Sequence, residues 1–272
     1  MIPFTKAHAC GNDFLMITEE AAAGCDRVRL TQRLCARNTG VGADGIEFFA
    51  WTGPASGRIR LHNADGTIAE ISGNGTRCAA AWMADKLASA PGDELAIATD
   101  AGLRLCRIDA VQREDGFAVE VSTRMGVPEF APHTIRLANG MDIVGLEIST
   151  GNPHFVVFAD DGEFAVAGKS WRLIGAEICE HPDFPRQTNV EFVRVVTERE
   201  VEIRIFERGV GPTMSSGTGT SAAATAALAL KGCLSPLTVI APGGAQSVKW
   251  SGPGAELYLT GPAALIARGE AW

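Results

Sequence analysis

Two similar glycine loops, each opening an alanine-rich segment, constrain the fold of this chain most strongly. The first runs Ser72-Gly73-Asn74-Gly75-Thr76 and the second Ser216-Gly217-Thr218-Gly219-Thr220. The alanine-rich residues that follow each loop favour a helix. The first N–H groups of a helix have no partner within it and carry the positive end of its dipole, which suits a carboxylate or phosphate. The repetition predicts a duplicated architecture that binds one anion from two sides.

The composition predicts a globular protein whose ligand is a small molecule. Of its 272 residues, 46% are hydrophobic, enough for one large domain or two of ordinary size. A net charge of −8 without a Lys or Arg cluster argues against nucleic acid and anionic membranes as partners. We expect a cytoplasmic protein, since no apolar run approaches the roughly 20 residues of a membrane span and the start is unlike a signal peptide. The seven scattered cysteines predict reduced thiols and no metal site.

Short alternating segments predict many strands and few helices. Residues 58–62, 201–206 and 256–259 alternate polar and apolar side chains, which is typical of half-buried strands. Helical patterns cover about 31–37, 76–87 and 218–231. One long helix in each half of a strand-rich chain predicts an α+β fold in which each half wraps a sheet around its helix.

The same patterns predict where the two halves meet along the chain. A turn at 113–116 is a candidate for the connection between the two halves. The apolar end at 261–268 predicts a strand that returns to the first half. We therefore expect one domain at 1–114 plus 259–272 and a second at 115–258.

Polar clusters precede both glycine loops and recur elsewhere in the chain. Each cluster alone is typical of a turn. Together with Arg208 they indicate an amino-acid site, because a guanidinium binds carboxylates and amide oxygens accept from an ammonium group. His154 and Glu207 are the candidate proton carriers, with a structural histidine and an Arg-paired glutamate as the alternatives. The clusters are 62–66, 207–209, 11–14, 151–154 and 187–190.

In their order and over essentially the whole chain, these motifs resemble diaminopimelate epimerase. The resemblance implies two pseudo-symmetric domains, each a strongly curved, mostly antiparallel sheet around a central helix, with the active site in the cleft between them. It also implies a small-molecule amino-acid substrate and a two-base inversion at its α-carbon, which converts LL- to meso-diaminopimelate. The reaction is expected to use no metal, pyridoxal phosphate or other cofactor. The motifs are Gly11-Asn12-Asp13-Phe14, Asn63-Ala64-Asp65-Gly66, Gly73-Asn74-Gly75-Thr76-Arg77-Cys78, Gly151-Asn152-Pro153-His154, Asn189, Glu207-Arg208-Gly209 and Gly261-Pro262-Ala263.

The resemblance further implies a role for each site residue. His154 and Glu207 assist the two bases, which stand at positions 72 and 216. Backbone N–H groups that bind the carboxylate at the reacting carbon come from Gly73, Asn74, Gly217 and Thr218. Side chains that hold the substrate, chiefly its non-reacting amino-acid end, come from Asn12, Asn63, Asn152, Asn189 and Arg208.

Ser72 and Ser216 depart from the family, which has cysteine at both positions. A hydroxyl is a much weaker acid than a thiol and needs a neighbouring base to carry a proton. Either the serines were introduced to trap a ligand, or they mark a natural relative with altered chemistry, or the protein only binds an amino acid. Further departures are Gly45 in place of glutamine, Pro212 in place of glutamate, and the larger Thr218 and Thr220.

Dinucleotide binding is a further alternative, and monomer and homodimer both remain open. Residues 217–222 fit G-x-G-x-x-A after a strand, but the acidic residue expected about 20 positions later is missing. Residues 40–45 fit G-x-G-x-x-G but follow a helical pattern instead of a strand.

Overall fold

The computed structural model describes residues 1–69, 72–114, 116–159, 161–166 and 168–272 and confirms the α+β class. The chain divides into two compact units, Met1–Arg124 with Thr260–Trp272, and Met125–Leu259. It passes from the first unit to the second within one strand, Phe117–Gly126. The predicted crossing at 113–116 includes residue 115, which lies outside the described residues.

The first unit contains two helices and a sheet built from the start and the end of the chain. Strand β17 (Leu257–Ala271), which begins at the end of the second unit, pairs with β1 (Ile2–Ala9), so the predicted return of the chain's end is confirmed. The elements are β1 (Ile2–Ala9), β2 (Asn12–Thr18), α1 (Arg27–Cys35), β3 (Gly45–Gly53), β4 (Ser56–Asn63), β5 (Ile68–Ala69), α2 (Gly73–Lys86), β6 (Glu94–Thr99), β7 (Gly102–Gln112), β8 (Phe117–Gly126) and β17 (Leu257–Ala271).

The second unit contains the remaining two helices and eight strands of the described chain. Helix α3 is absent from the sequence prediction. The elements are β9 (Glu129–Arg136), β10 (Asp142–Ser149), β11 (Pro153–Phe158), α3 (Trp171–Cys179), β12 (Asn189–Thr197), β13 (Glu200–Glu207), β14 (Gly211–Thr213), α4 (Gly217–Leu230), β15 (Leu237–Ala241) and β16 (Gly244–Lys249).

The strand pairings of the two units alternate in the same way. In the first unit β1–β2 and β3–β4 are antiparallel, whereas β2–β3 and β4–β6 are parallel. In the second unit β10–β11 and β12–β13 are antiparallel, whereas β11–β12 and β13–β15 are parallel. Each parallel pair is connected through a helix or a long crossover, as parallel strands require. The glycine loops therefore follow equivalent strands, β4 with β5 and β13 with β14.

Helices α2 and α4 lie at the centres of their units. Every residue of α2 from 74 to 84 and of α4 from 217 to 227 is buried, polar residues such as Arg77 and Thr220 included, so neither helix has an exposed face over these residues. Their alanines pack against one face of the sheet, while α1 and α3 pack against the other. A helix that is buried on every side lies within a core, unlike an amphipathic helix at a surface. Small side chains allow the surrounding strands to approach it closely.

No helix in the described ranges is long and apolar enough to cross a membrane. Within the same ranges, the cysteines form no disulfide.

Candidate active site

Ser72 and Ser216 are the N-cap residues of α2 and α4. Both have extended backbones, with φ −129° and −143°. The Ser72 Oγ accepts a hydrogen bond from the Gly75 N–H at 3.0 Å, and the Ser216 Oγ accepts from the Gly219 N–H at 3.1 Å. An N–H donor at a helix N-terminus stabilises negative charge that develops on the oxygen. Each hydroxyl still has its own proton to donate.

In the first unit, the structure brings together Asn12 and Asn74. The Asn74 amide donates to Asn12 Oδ1 at 3.2 Å, and Asn12 Nδ2 donates to Asp44 Oδ2 at 2.6 Å. Gly73 and Asn74 are the first two residues of α2. Asn63 ends β4, and its amide donates to Thr67 Oγ1 at 3.0 Å. Asn12 thus lies beside the first turn of α2, and Asp44 orients its amide.

An ion-pair network fixes the carboxylate of Asp44. Arg37 Nη2 contacts Asp44 Oδ1 at 2.6 Å and Asp13 Oδ1 at 2.8 Å, and Lys6 Nζ lies 3.0 Å from Asp13 Oδ2. Burial would raise the pKa of Asp13, but the hydrogen bonds from Arg37 and Lys6 outweigh it and lower that pKa. The sequence analysis missed this network because its members are distant along the chain.

In the second unit, a chain of hydrogen bonds joins four predicted site residues. His154 is fully buried, and its Nε2 lies 2.9 Å from Asn152 Oδ1. The Asn152 amide donates to Thr218 Oγ1 at 3.4 Å, and this Thr218 oxygen lies 3.4 Å from Ser216 Oγ. Gly217 and Thr218 are the first two residues of α4. His154 is therefore linked to the Ser216 hydroxyl through Asn152 and Thr218.

Glu207 ends β13 beside Ser216, and Arg208 follows the strand beside Asn189. Burial raises the pKa of Glu207, while the hydroxyls of Thr213 and Ser216 act in the opposite direction. The Arg208 N–H donates to Asn189 Oδ1 at 3.1 Å, and Asn189 Nδ2 donates to the Pro153 carbonyl at 3.1 Å. The Arg208 side chain is exposed. Glu207 thus combines contact with a candidate proton carrier and a raised pKa, which suits an acid–base group.

Two buried glutamates missed by the sequence analysis lie beneath the first turns of the central helices. Glu47 on β3 and Glu191 on β12 are both fully buried. A Cβ built on Gly75 would lie 2.0 Å from Glu47 Oε1, and one built on Gly219 would lie 2.6 Å from Glu191 Oε1. The second glycine of each loop is therefore needed because a carboxylate occupies the space of its side chain. Glu47 and Gly75 have the same separation along the chain as Glu191 and Gly219, a repeat that the sequence contains.

The two glutamates differ in their partners. Glu191 Oε1 lies 2.8 Å from His154 Nδ1, which forms a buried carboxylate–imidazole pair. Neither carboxylate oxygen of Glu47 has a hydrogen-bond partner among the described residues. Burial raises the pKa of Glu47 to about 8. An unpaired buried carboxylate is costly, which makes Glu47 a candidate functional group.

The departure at Gly45 has a local structural consequence. A Cβ built on Gly45 would lie 2.6 Å from the His62 carbonyl oxygen and 3.0 Å from Leu61 Cδ1, so a longer side chain does not fit this backbone. Pro212 lies on β14, opposite Phe206.

No group of three or more His, Cys, Asp or Glu side chains within the described ranges could hold a metal ion.

Comparison with known proteins confirms the resemblance drawn from the ordered motifs. A model of the diaminopimelate epimerase family matches residues 4–131 and 147–266. The diaminopimelate epimerase of Moorella thermoacetica is 36% identical over 282 residues, covering 98% of both chains. That of Halorhodospira halophila is 38% identical over 286 residues, covering 98% of this chain and 94% of its own. The crystal structure of a hydroxyproline epimerase from Agrobacterium vitis has the same fold, with a TM-score of 0.70 at 15% identity, covering 98% of this chain and 91% of that one.

Proposed function

Because this chain belongs to the diaminopimelate epimerase family, we propose that it inverts the α-carbon of LL-diaminopimelate, with Ser72 and Ser216 as the two proton carriers. It is an isomerase whose substrate is an amino acid, a small molecule. The observation that carries the role of the serines is their matched position as N-caps whose oxygens accept a helix N–H.

The reaction requires that one proton leaves the α-carbon and another arrives on its opposite face. The α-carbon–hydrogen bond breaks, its electron pair delocalises into the substrate carboxylate, and the proton passes to one serine oxygen, whose own hydroxyl proton moves to its assisting group. The other serine donates its hydroxyl proton to form the new bond, and its assisting group replaces that proton. Helix N-termini stabilise the negative charge on the carboxylate through Gly73, Asn74, Gly217 and Thr218. No protein-bound cofactor takes part in these steps.

Glu207 supports Ser216 in this scheme. Burial raises the pKa of Glu207, which favours its protonated form relative to an exposed glutamate, and a carboxyl group can both give and accept a proton. His154, held by Glu191 and Asn152, orients the amide that contacts Thr218. Arg208 binds the non-reacting carboxylate of the substrate, together with the amides of Asn12, Asn63, Asn152 and Asn189.

Exchange of the α-proton in D₂O tests the proposal. We expect the unmodified protein to exchange the α-proton of LL-diaminopimelate, and the double variant Ser72→Cys, Ser216→Cys to exchange it faster, because a thiol ionises more readily than a hydroxyl. Arg208→Ala should weaken binding measured by calorimetry. Absence of exchange by both proteins, across a panel of amino acids, would refute the proposal. Tight binding in that case would identify an amino-acid-binding protein instead.

A further inference from the structure

Arg77 is a fully buried guanidinium that has no role in the proposed proton transfer. It lies one turn after the start of α2, and its Nη2 donates to Asn74 Oδ1 at 2.5 Å. Its Nε and Nη1 have no hydrogen-bond partner among the described residues. A buried charge that is only partly hydrogen-bonded is costly, so this side chain requires an explanation beyond packing.

The contact between Arg77 and Asn74 begins a chain of three hydrogen bonds at the start of α2. Asn74 Nδ2 donates to Asn12 Oδ1 at 3.2 Å, and Asn12 Nδ2 donates to Asp44 Oδ2 at 2.6 Å. The other oxygen of Asp44 lies 2.6 Å from Arg37 Nη2. All of these residues belong to the first unit. We call Arg77, Asn74, Asn12 and Asp44 the amide relay.

The two ends of the amide relay fix the direction of both amides between them. A guanidinium only donates hydrogen bonds and a carboxylate only accepts them, whereas an amide does both. Turning the Asn74 amide round would place its NH₂ group against the Arg77 guanidinium. Turning the Asn12 amide round would place its oxygen against the oxygen of Asp44. The relay therefore holds Asn12 and Asn74 in a single orientation.

We propose that Arg77 is a positioning residue for substrate binding, which fixes the Asn74 amide and, through it, the orientation of Asn12. This inference rests on the proposed function, in which Asn12 holds the substrate and the backbone N–H of Asn74 binds its carboxylate. Arg77 acts through these two residues and does not contact the substrate itself. Because amides that are already oriented lose little freedom when the substrate arrives, the relay makes binding more favourable.

The variant Arg77→Met separates this role from a structural one, because methionine keeps an unbranched apolar stem and removes the guanidinium. In the α-proton exchange assay with LL-diaminopimelate, we expect KM to rise about tenfold or more and kcat to change less than about threefold, as when an interaction made equally with substrate and transition state is lost. A purely structural role would give the opposite pattern. Partial unfolding lowers the amount of active protein, and hence kcat, without changing KM.

The variant Asn74→Ala interrupts the amide relay at its second residue and keeps the backbone N–H. It should raise KM as Arg77→Met does, and the double variant should exceed either single variant by less than about threefold, since both changes break one path. Independent effects would multiply instead. If Arg77→Met does not fold, an unchanged KM in Asn74→Ala overturns the proposal. Arg58→Met is the matched control, because Arg58 pairs with Glu19 and lies toward the opposite end of β4 from Asn63; its KM should equal that of the unmodified protein.

Calorimetry distinguishes failure of this proposal from failure of the proposed function, because it measures binding without turnover. The dissociation constant of LL-diaminopimelate should rise about tenfold or more in Arg77→Met. An unchanged constant and an unchanged KM in this variant would overturn the role of Arg77 alone. Weaker binding by Arg77→Met, without exchange by the unmodified protein or by Ser72→Cys, Ser216→Cys, would overturn the proposed function and support the role of Arg77 in binding. No binding by the unmodified protein would overturn both.

Discussion

Replacing the buried carboxylate of Glu47 should stabilise the protein at high pH but not at low pH. Burial raises the pKa of Glu47 from 4.5 to about 8. Below pH 4.5 the carboxyl group is neutral in both the folded and the unfolded chain, so it does not make the free energy of unfolding depend on pH. As the pH rises from 4.5 to 8, the unfolded chain loses the proton and the folded chain retains it, so stability falls. Above pH 8 the loss is complete.

The size of this loss follows from the difference between the two pKa values. At about 1.4 kcal/mol per pKa unit, it amounts to roughly 5 kcal/mol. The total stability of a folded domain is about 5–15 kcal/mol, so the effect is large. Glu47→Gln removes the group that titrates, and its amide changes the free energy of unfolding by the same amount at every pH.

Urea unfolding at pH 5 and pH 9 measures the effect. The free energy of unfolding of Glu47→Gln minus that of the unmodified protein should increase by several kcal/mol between the two pH values, because all other titrating groups cancel in the difference. Glu19→Gln serves as the control, since its ion pairs lower the pKa of Glu19 and give no such increase. The same difference at both pH values would refute the burial of an unpaired carboxylate at this position.

Three further predictions concern other parts of the structure. Asp13→Asn should lower the free energy of unfolding by about 1–3 kcal/mol at pH 7, because it leaves Arg37 and Lys6 without their carboxylate. Urea unfolding measures this loss, which should shrink as the pH falls below 3.8, where Asp13 in the unfolded chain binds a proton. Ala80→Leu should destabilise the protein by about 1–3 kcal/mol or more in the same urea-unfolding assay, because Ala80 is fully buried within α2. An unchanged urea midpoint would show that the helix is less tightly packed. Gly219→Ala should slow α-proton exchange by pressing on Glu191, whereas Gly162→Ala, an exposed position with open space around it, should not; equal rates in both variants would contradict the close approach.

The sequence predicted the elements that depend on local chemistry. Each serine–glycine loop before an alanine run indicates a helix start, and the structure places an N-cap at both serines. The predicted starts at 76 and 218 are later than the observed Gly73 and Gly217, because glycine has a low helix propensity although it is tolerated in the first turn. Helix α1 begins earlier than predicted, at Arg27, because Asp26 caps it.

The ordered motifs also identified the family, since their spacing along the chain is a property of the sequence alone. They did not reveal the groups that support the site residues. Asp44 is fixed by Arg37, and Arg37 by Asp13, through contacts between separate elements. Such contacts form only after the strands have paired, so no short segment contains their signal.

Glu47 shows most clearly what the tertiary structure decided. Within its strand it is one polar residue between Ile46 and Phe48, a pattern that favours a half-exposed strand with the glutamate in water. In the fold, α2 covers that face of the sheet and buries the carboxylate against Gly75. The sequence determined that a helix begins at this loop and that a serine caps it. The packing of that helix over β3 determined that a carboxylate lies beside the serine, because burial depends on elements that are distant along the chain.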